Sequence, residues 1–127
     1  MEYDLYDAGR RQLVVIQSPT IEDVVVALDA LDQQRHTGLN LIDGTGAYIS
    51  VVGGSGRYHV YVGAFDHDDR VILQTATAGP AEVDIFHDGE DYQYAANDVV
   101  DRDAALAALT EFHRSGRPDL GLTWRAG

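Results

Sequence analysis

The chain has 127 residues, 45% hydrophobic and 24% charged, which predicts one globular domain over 1–127 with enough apolar surface for a core. It contains no cysteine, so disulfides, thiol nucleophiles and cysteine-ligated metal centres are excluded. Twenty-one acids against nine basic residues, all arginine, give a net charge of −12, a field that repels nucleic acid and anionic membrane and attracts a basic protein surface.

The acidity is uneven, with 8 acids and 4 bases through residue 64 and 13 acids and 5 bases after it. No apolar run reaches the length of a membrane span. The start, Met1-Glu2-Tyr3-Asp4-Leu5-Tyr6-Asp7, is acidic where a secretion signal would be basic and then apolar. The expectation is a soluble, cytoplasmic protein.

Leu13-Val14-Val15-Ile16 is a continuous apolar run between Arg10-Arg11 and Ser18-Pro19, the pattern of a strand buried on both faces. Ser18-Pro19-Thr20 supplies hydroxyl caps and a proline suited to a first helical turn, and Glu22 and Asp23 favour a helix N-terminus. Ile21, Val24, Val25, Leu28 and Leu31 form one stripe, which predicts a helix over about 20–34 with Gly38 as its stop.

From residue 39 to 96 the period becomes two. Leu39–Ile42, Tyr48–Val52, Tyr58–Ala64, Val71–Thr75, Glu82–Phe86 and Tyr92–Ala96 read as strands of an antiparallel meander. Turn chemistry separates them at Asp43-Gly44-Thr45-Gly46, Gly53-Gly54-Ser55-Gly56, Asp66-His67-Asp68-Asp69, Ala78-Gly79-Pro80 and Asp88-Gly89-Glu90-Asp91. Tyr58, Val60 and Val62 share a core face, with His59 and Tyr61 on a wetter one.

Asp101 caps a second helix over about 102–115, whose stripe is Ala105, Leu106, Leu109 and Phe112. Gly116 ends it, Pro118 follows, and Leu120–Arg125 reads as a last strand. The fold class is α+β, a mostly antiparallel sheet of about six to eight short strands with two helices.

Catalytic signatures are sparse. Asp66, His67, Asp68 and Asp69 could hold a hard cation or position a water, but lack the spaced ligands and distal glutamate of a calcium hand and read first as a solvated hairpin loop. His36, His59, His87 and His113 show no zinc-hydrolase spacing and read as surface or wet-face residues. Gly53-Gly54-Ser55-Gly56 has no following lysine or helix, so it reads as a hairpin turn and not a phosphate cradle. Ser18, Ser50, Ser55 and Ser115 have no nucleophile elbow. Glu82 and Asp84 share one strand face opposite Val83 and Ile85 and should be exposed, either as a charged guard on an edge or as a partner surface.

Toward the C-terminus, Glu82-Val83-Asp84-Ile85-Phe86-His87-Asp88-Gly89, Ala96-Asn97-Asp98-Val99-Val100, the helix ending Glu111-Phe112-His113-Arg114-Ser115-Gly116-Arg117-Pro118, and Leu122-Thr123-Trp124 resemble the Imm1 family of bacterial immunity proteins. The resemblance is strongest over about 82–125 and weaker through the first helix and the early hairpins. It implies a small α+β protein encoded beside a polymorphic toxin, often a nucleic-acid deaminase. It also implies a characteristic glutamate, at Glu82 or Glu111, and a tryptophan at Trp124.

Resemblance and charge converge on a toxin inhibitor without catalytic residues, cofactor or metal. Asp66, Asp68, Asp69, Glu82, Asp84, Glu90 and Asp91 are the expected partner-binding residues, and Phe112 and Trp124 the structural ones. Two other readings stay open. One is a small metal-dependent enzyme or cation-binding domain built on Asp66–Asp69; the other is an acidic adaptor for some other basic protein.

Overall fold

The structure, a computed structural model, describes residues 1–75, 79 and 81–127; Ala78 and Pro80 of the expected Ala78-Gly79-Pro80 turn lie outside the described residues. In chain order the strands are β1 (Glu2–Asp7), β2 (Arg10–Val15), β3 (Gly38–Ile42), β4 (Ala47–Gly54), β5 (Arg57–Ala64), β6 (His67–Gln74), β7 (Glu82–His87), β8 (Glu90–Ala95) and β9 (Thr123–Ala126). Two helices, α1 (Ile21–Ala30) and α2 (Arg102–Ser115), and a 3-10 turn at Ala96–Asp98 complete the α+β fold. Seven strands form one antiparallel sheet in the order β2-β1-β3-β4-β5-β6-β9, and β7 pairs with β8 alone.

Side-chain alternation divides the large sheet into two chemically distinct faces. Leu39, Leu41, Ile49, Val51, Tyr58, Val60 and Leu73 are buried together with Val24, Leu28, Leu109 and Phe112 of the helices. The register places Asn40 opposite Ser50 and Ser50 opposite Tyr61, so the reverse face is polar.

Helix ends follow the local chemistry. Thr20 and Asp23 form a reciprocal capping box at the start of α1. Asp101 caps α2, and Gly116 closes it with φ 71°, a left-handed conformation that glycine adopts without strain. The Arg102 guanidinium grips Asp29 at 2.6 and 3.1 Å and ties the two helices together.

Several expectations are corrected. The Leu13–Ile16 run is not buried on both faces: β2 is an edge strand, with Leu13 52% and Val15 57% exposed, because only β1 pairs with it. That inner strand, β1, comes from the acidic N-terminal stretch, which showed no apolar run. Helix α1 stops at Ala30 instead of about 34, because the Asp32 carboxylate accepts the Gln34, Arg35 and His36 N–H groups and holds the chain in a turn. Gly38 is therefore the first residue of β3 and not a helix stop.

The expected meander holds from β3 to β6 and then breaks. β7 and β8 leave the sheet and form a separate hairpin over its polar face, held by Phe86 N–H donating to the Gln33 side chain and Asp88 N–H donating to Thr37. Its Asp88-Gly89 turn has φ 52° and 85°, the paired positive values that tight hairpins need.

Candidate functional site

The hairpin gives the polar face a partial lid. Its inner side carries Val83, Ile85 and His87 on β7 and Tyr92 and Tyr94 on β8; its outer side carries Glu82, Asp84 and Phe86, with Asp91 and Gln93 across from them. Ile85 is fully buried, while Glu82 and Asp84 are exposed as the alternation required.

Beneath the lid runs a line of rings. Tyr92 stacks on His87 at 4.1 Å between centroids, and Tyr94 stacks on His59 at 4.1 Å and 22°. Beyond His59, Tyr61 carries the Arg70 guanidinium 4.9 Å above its ring centre. His59 is only 6% exposed and His87 8%, so neither is the surface or wet-face residue that the spacing implied. Strand alternation reports which side a residue faces, but not what later packs on that side.

Hydrogen bonds fix this line at both ends. The Asp88 carboxylate lies 2.7 Å from His87 Nδ1, and His87 Nε2 lies 2.6 Å from the Tyr94 hydroxyl. A carboxylate only accepts, so in the neutral ring Nδ1 carries the proton and Nε2 accepts from the phenol. This carboxylate–imidazole–hydroxyl order resembles a nucleophile relay; burial pushes the Tyr94 phenol up to about 12, which keeps it protonated as the hydrogen-bond donor to His87.

His59 Nδ1 donates to the Asp98 backbone carbonyl at 2.9 Å, and burial lowers the ring's pKa. Asp98 itself is buried and accepts from Arg125 Nε and Nη2 at 2.9 and 2.7 Å and from Gln74 at 3.0 Å. The Arg125 hydrogen bonds hold its carboxyl below the usual carboxylate range. β9, β6, the 3-10 turn and β5 are thereby pinned at one point.

Between the hairpin and β1–β2 a cleft of about 250 Å³ remains over the polar face, lined by Asn40, Ser50, His59, Tyr61 and Arg70 together with Arg11 and hairpin residues. Sequence reasoning missed it. The trace in the sequence was the His59-x-Tyr61 alternation, which read as a wetter strand face, and the Tyr92–Ala96 segment, which read only as a strand.

The seven expected partner-binding acids do not form one patch. Asp66 sits in the tight Phe65-Asp66 turn after β5, and Asp68 and Asp69 belong to β6, which starts at His67 and not after a loop. Glu82 and Asp84 share a shallow depression with Arg57, the first residue of β5. Eight residues of extended strand separate the two groups, roughly 26 Å. Glu90 and Asp91 lie at the other end of the hairpin, after the Asp88-Gly89 turn.

Among the described residues no three His, Asp or Glu side chains converge as ligands of one metal ion; at Asp66–Asp69 the nearest pairing is His67 with Asp66 at 3.8 Å. No described helix is long and apolar enough to cross a membrane. Phe112 is 2% exposed in the core. Trp124 is half-buried, packs against that core and donates its indole N–H to the Asp119 carbonyl at 2.8 Å. Glu111 pairs with Arg114 on the helix surface at 2.7 Å, and Glu82 has no ion-pair partner among the described residues.

The family model for immunity protein Imm1 matches residues 6–126. The match takes in α1 and the β3–β6 meander as well as the C-terminal segments that carry the resemblance in sequence. No curated protein matches the chain.

Proposed function

The chain belongs to the Imm1 family of immunity proteins, and on that premise we propose that it neutralises a cognate bacterial toxin in the cytoplasm by stoichiometric binding. The toxin is of the nucleic-acid-targeting deaminase type, and an acidic surface of this protein occludes its substrate cleft. A surface built to bind a polyanion is basic, and a partner with a net charge of −12 is drawn to it at long range.

The observation that carries this reading is the outer side of the β7–β8 hairpin. Glu82, Asp84 and Asp91 project there from a strand pair anchored on its inner side by Ile85 and His87, and none of them forms an ion pair among the described residues. Carboxylates repeated along one side of a strand pair present a row of negative charge to a basic cleft. Asp66, Asp68 and Asp69, at the far end of β5, add to the field and steer the encounter.

Co-expression with the product of the adjacent open reading frame tests the class: this chain should restore growth. Titration of purified protein into that toxin should abolish activity at one equivalent, since a binder without turnover inhibits only its own number of molecules. Complete inactivation far below equivalence, lost on adding chelator, would favour a metal-dependent enzyme instead.

A further inference from the structure

The polar cleft beside the hairpin contains an unsatisfied recognition group. His59 is 6% exposed and spends its Nδ1 proton on the Asp98 carbonyl. Its Nε2 has no hydrogen-bond partner among the described residues, and the His59 ring lines the cleft. A ring so enclosed, with one nitrogen tied and the other without a partner, is pre-organised for a ligand.

The charge balance of the lining decides which ligand. Asp4 is buried, with its carboxylate accepting from Thr37 and from the Gly38 N–H. Asp88 is engaged by Arg11 at 3.2 Å and His87 at 2.7 Å. Arg70 forms no ion pair among the described residues and leans over Tyr61 at the mouth. The cleft's acids and Arg11 are already committed to partners, while Arg70 forms no ion pair among the described residues. Arg11 and Arg70 balance Asp4 and Asp88 in formal charge, so in a protein of net charge −12 the cleft is a locally neutral site with one uncommitted cation at its mouth.

We propose that this cleft is a carboxylate-binding site in which Arg70 and His59 Nε2 grip an Asp or Glu side chain of the bound toxin. The assignment of the carboxylate to a toxin rests on the proposed function; the carboxylate chemistry does not. Arg70 supplies the charge-assisted bond, and Ser50 and Asn40 on the floor offer further donors. Two lone pairs cannot face each other, so His59 takes a proton from solvent as the carboxylate enters, and Nε2 becomes a donor.

The groups facing His59 set the balance of that protonation. Burial opposes it, Arg70 on β6 and His87 on the hairpin oppose it, and Asp98 on the 3-10 turn favours it. Tyr94 and Tyr61 flank the ring as neutral aromatics. An anion against Arg70 cancels one opposing charge. Carboxylate binding should therefore tighten as pH falls, until His59 is already protonated in the free protein.

The test uses acetate and acetamide, which share a shape and differ in charge, each titrated at constant ionic strength while the imidazole nitrogens are followed by 15N NMR. Acetate should convert His59 Nε2 from an unprotonated to a protonated signal, more readily at lower pH, and acetamide should not. Arg70→Gln, an exposed change that leaves the core intact, should weaken the acetate response by about tenfold. An equal response to acetamide, or an acetate response untouched by Arg70→Gln, would overturn the site. With purified toxin, Arg70→Gln should weaken binding by about tenfold, through faster dissociation. Undiminished toxin binding would overturn the toxin as the source of the carboxylate. If the unmutated chain fails to bind toxin while the acetate response persists, the functional reading fails and the site stands.

Discussion

Tyr94 lies flat on His59, ring centroids 4.1 Å apart and planes 22° from parallel, and this contact joins a two-stranded hairpin to β5, an interior strand of a sheet with which it shares no ladder. The same tyrosine holds His87 through its hydroxyl, so its two halves do separable work. Tyr94→Phe should keep the stack and lose the hydrogen bond, at a cost of about 1 kcal/mol. Tyr94→Ala should lose both, at about 3 kcal/mol or more. Chemical denaturation of the two variants gives the comparison, and equal losses would mean that the stack contributes nothing.

Asp98 should make stability depend on acid. Its carboxyl is held low chiefly by Arg125, so the folded state binds its proton less readily than the unfolded chain does. Its contribution is complete above the ordinary Asp value of about 3.9 and is lost as pH falls through its lower folded value. Asp98→Asn should cost about 2–3 kcal/mol at neutral pH, with the gap to the unmutated protein closing at the acid end. Thermal melts across pH check this; a gap constant to the lowest pH would show that the ion pair is not its origin.

Buried His59 acts in a different window. Burial lowers its pKa, so stability should be full above the unfolded value of about 6.5 and decline as pH falls below it. His59→Gln would lose the stack, so the clean observation is the pH titration of the unmutated protein, with imidazole NMR showing His59 protonating below the unfolded value of about 6.5.

Phe112→Ala should cost about 3–5 kcal/mol, since its ring is fully enclosed between helix and sheet. Trp124→Ala should cost less, about 2–3 kcal/mol, because the indole is half-buried and loses one hydrogen bond. Both variants should lose protection in cells in proportion to lost folded protein. A Trp124→Ala protein that melts normally but no longer binds toxin would place the indole in the interface.

Neutralising the hairpin acids as a set, Glu82→Gln, Asp84→Asn and Asp91→Asn, should slow association with toxin and flatten its salt dependence, and should also speed dissociation if they lie in the contact. The matching change of Asp66, Asp68 and Asp69, roughly a strand length away, should slow association only. Stopped-flow kinetics at two salt concentrations separate these outcomes, and unchanged association at low salt for both sets would remove the electrostatic mechanism.

Most of the secondary structure was legible because it is local. The stripes of α1 and α2, the caps at Thr20 and Asp101, the stop at Gly116 and the alternation of β3 to β5 depend on residues within one or two turns of each other. The same alternation determined that Glu82 and Asp84 face away from Ile85. What sits against each face was decided only in three dimensions. The sequence put His59 on the polar side of β5, but a hairpin some 30 residues onward determined that this side is covered there and open beside Arg70. β2 looked central because four apolar residues adjoin in sequence, yet strand order made it an edge. Acids close in the chain were parted by the length of β5. The period of a strand fixes direction within one element, whereas burial, pairing and the neighbours of a charge depend on contacts between elements whose positions no local pattern encodes.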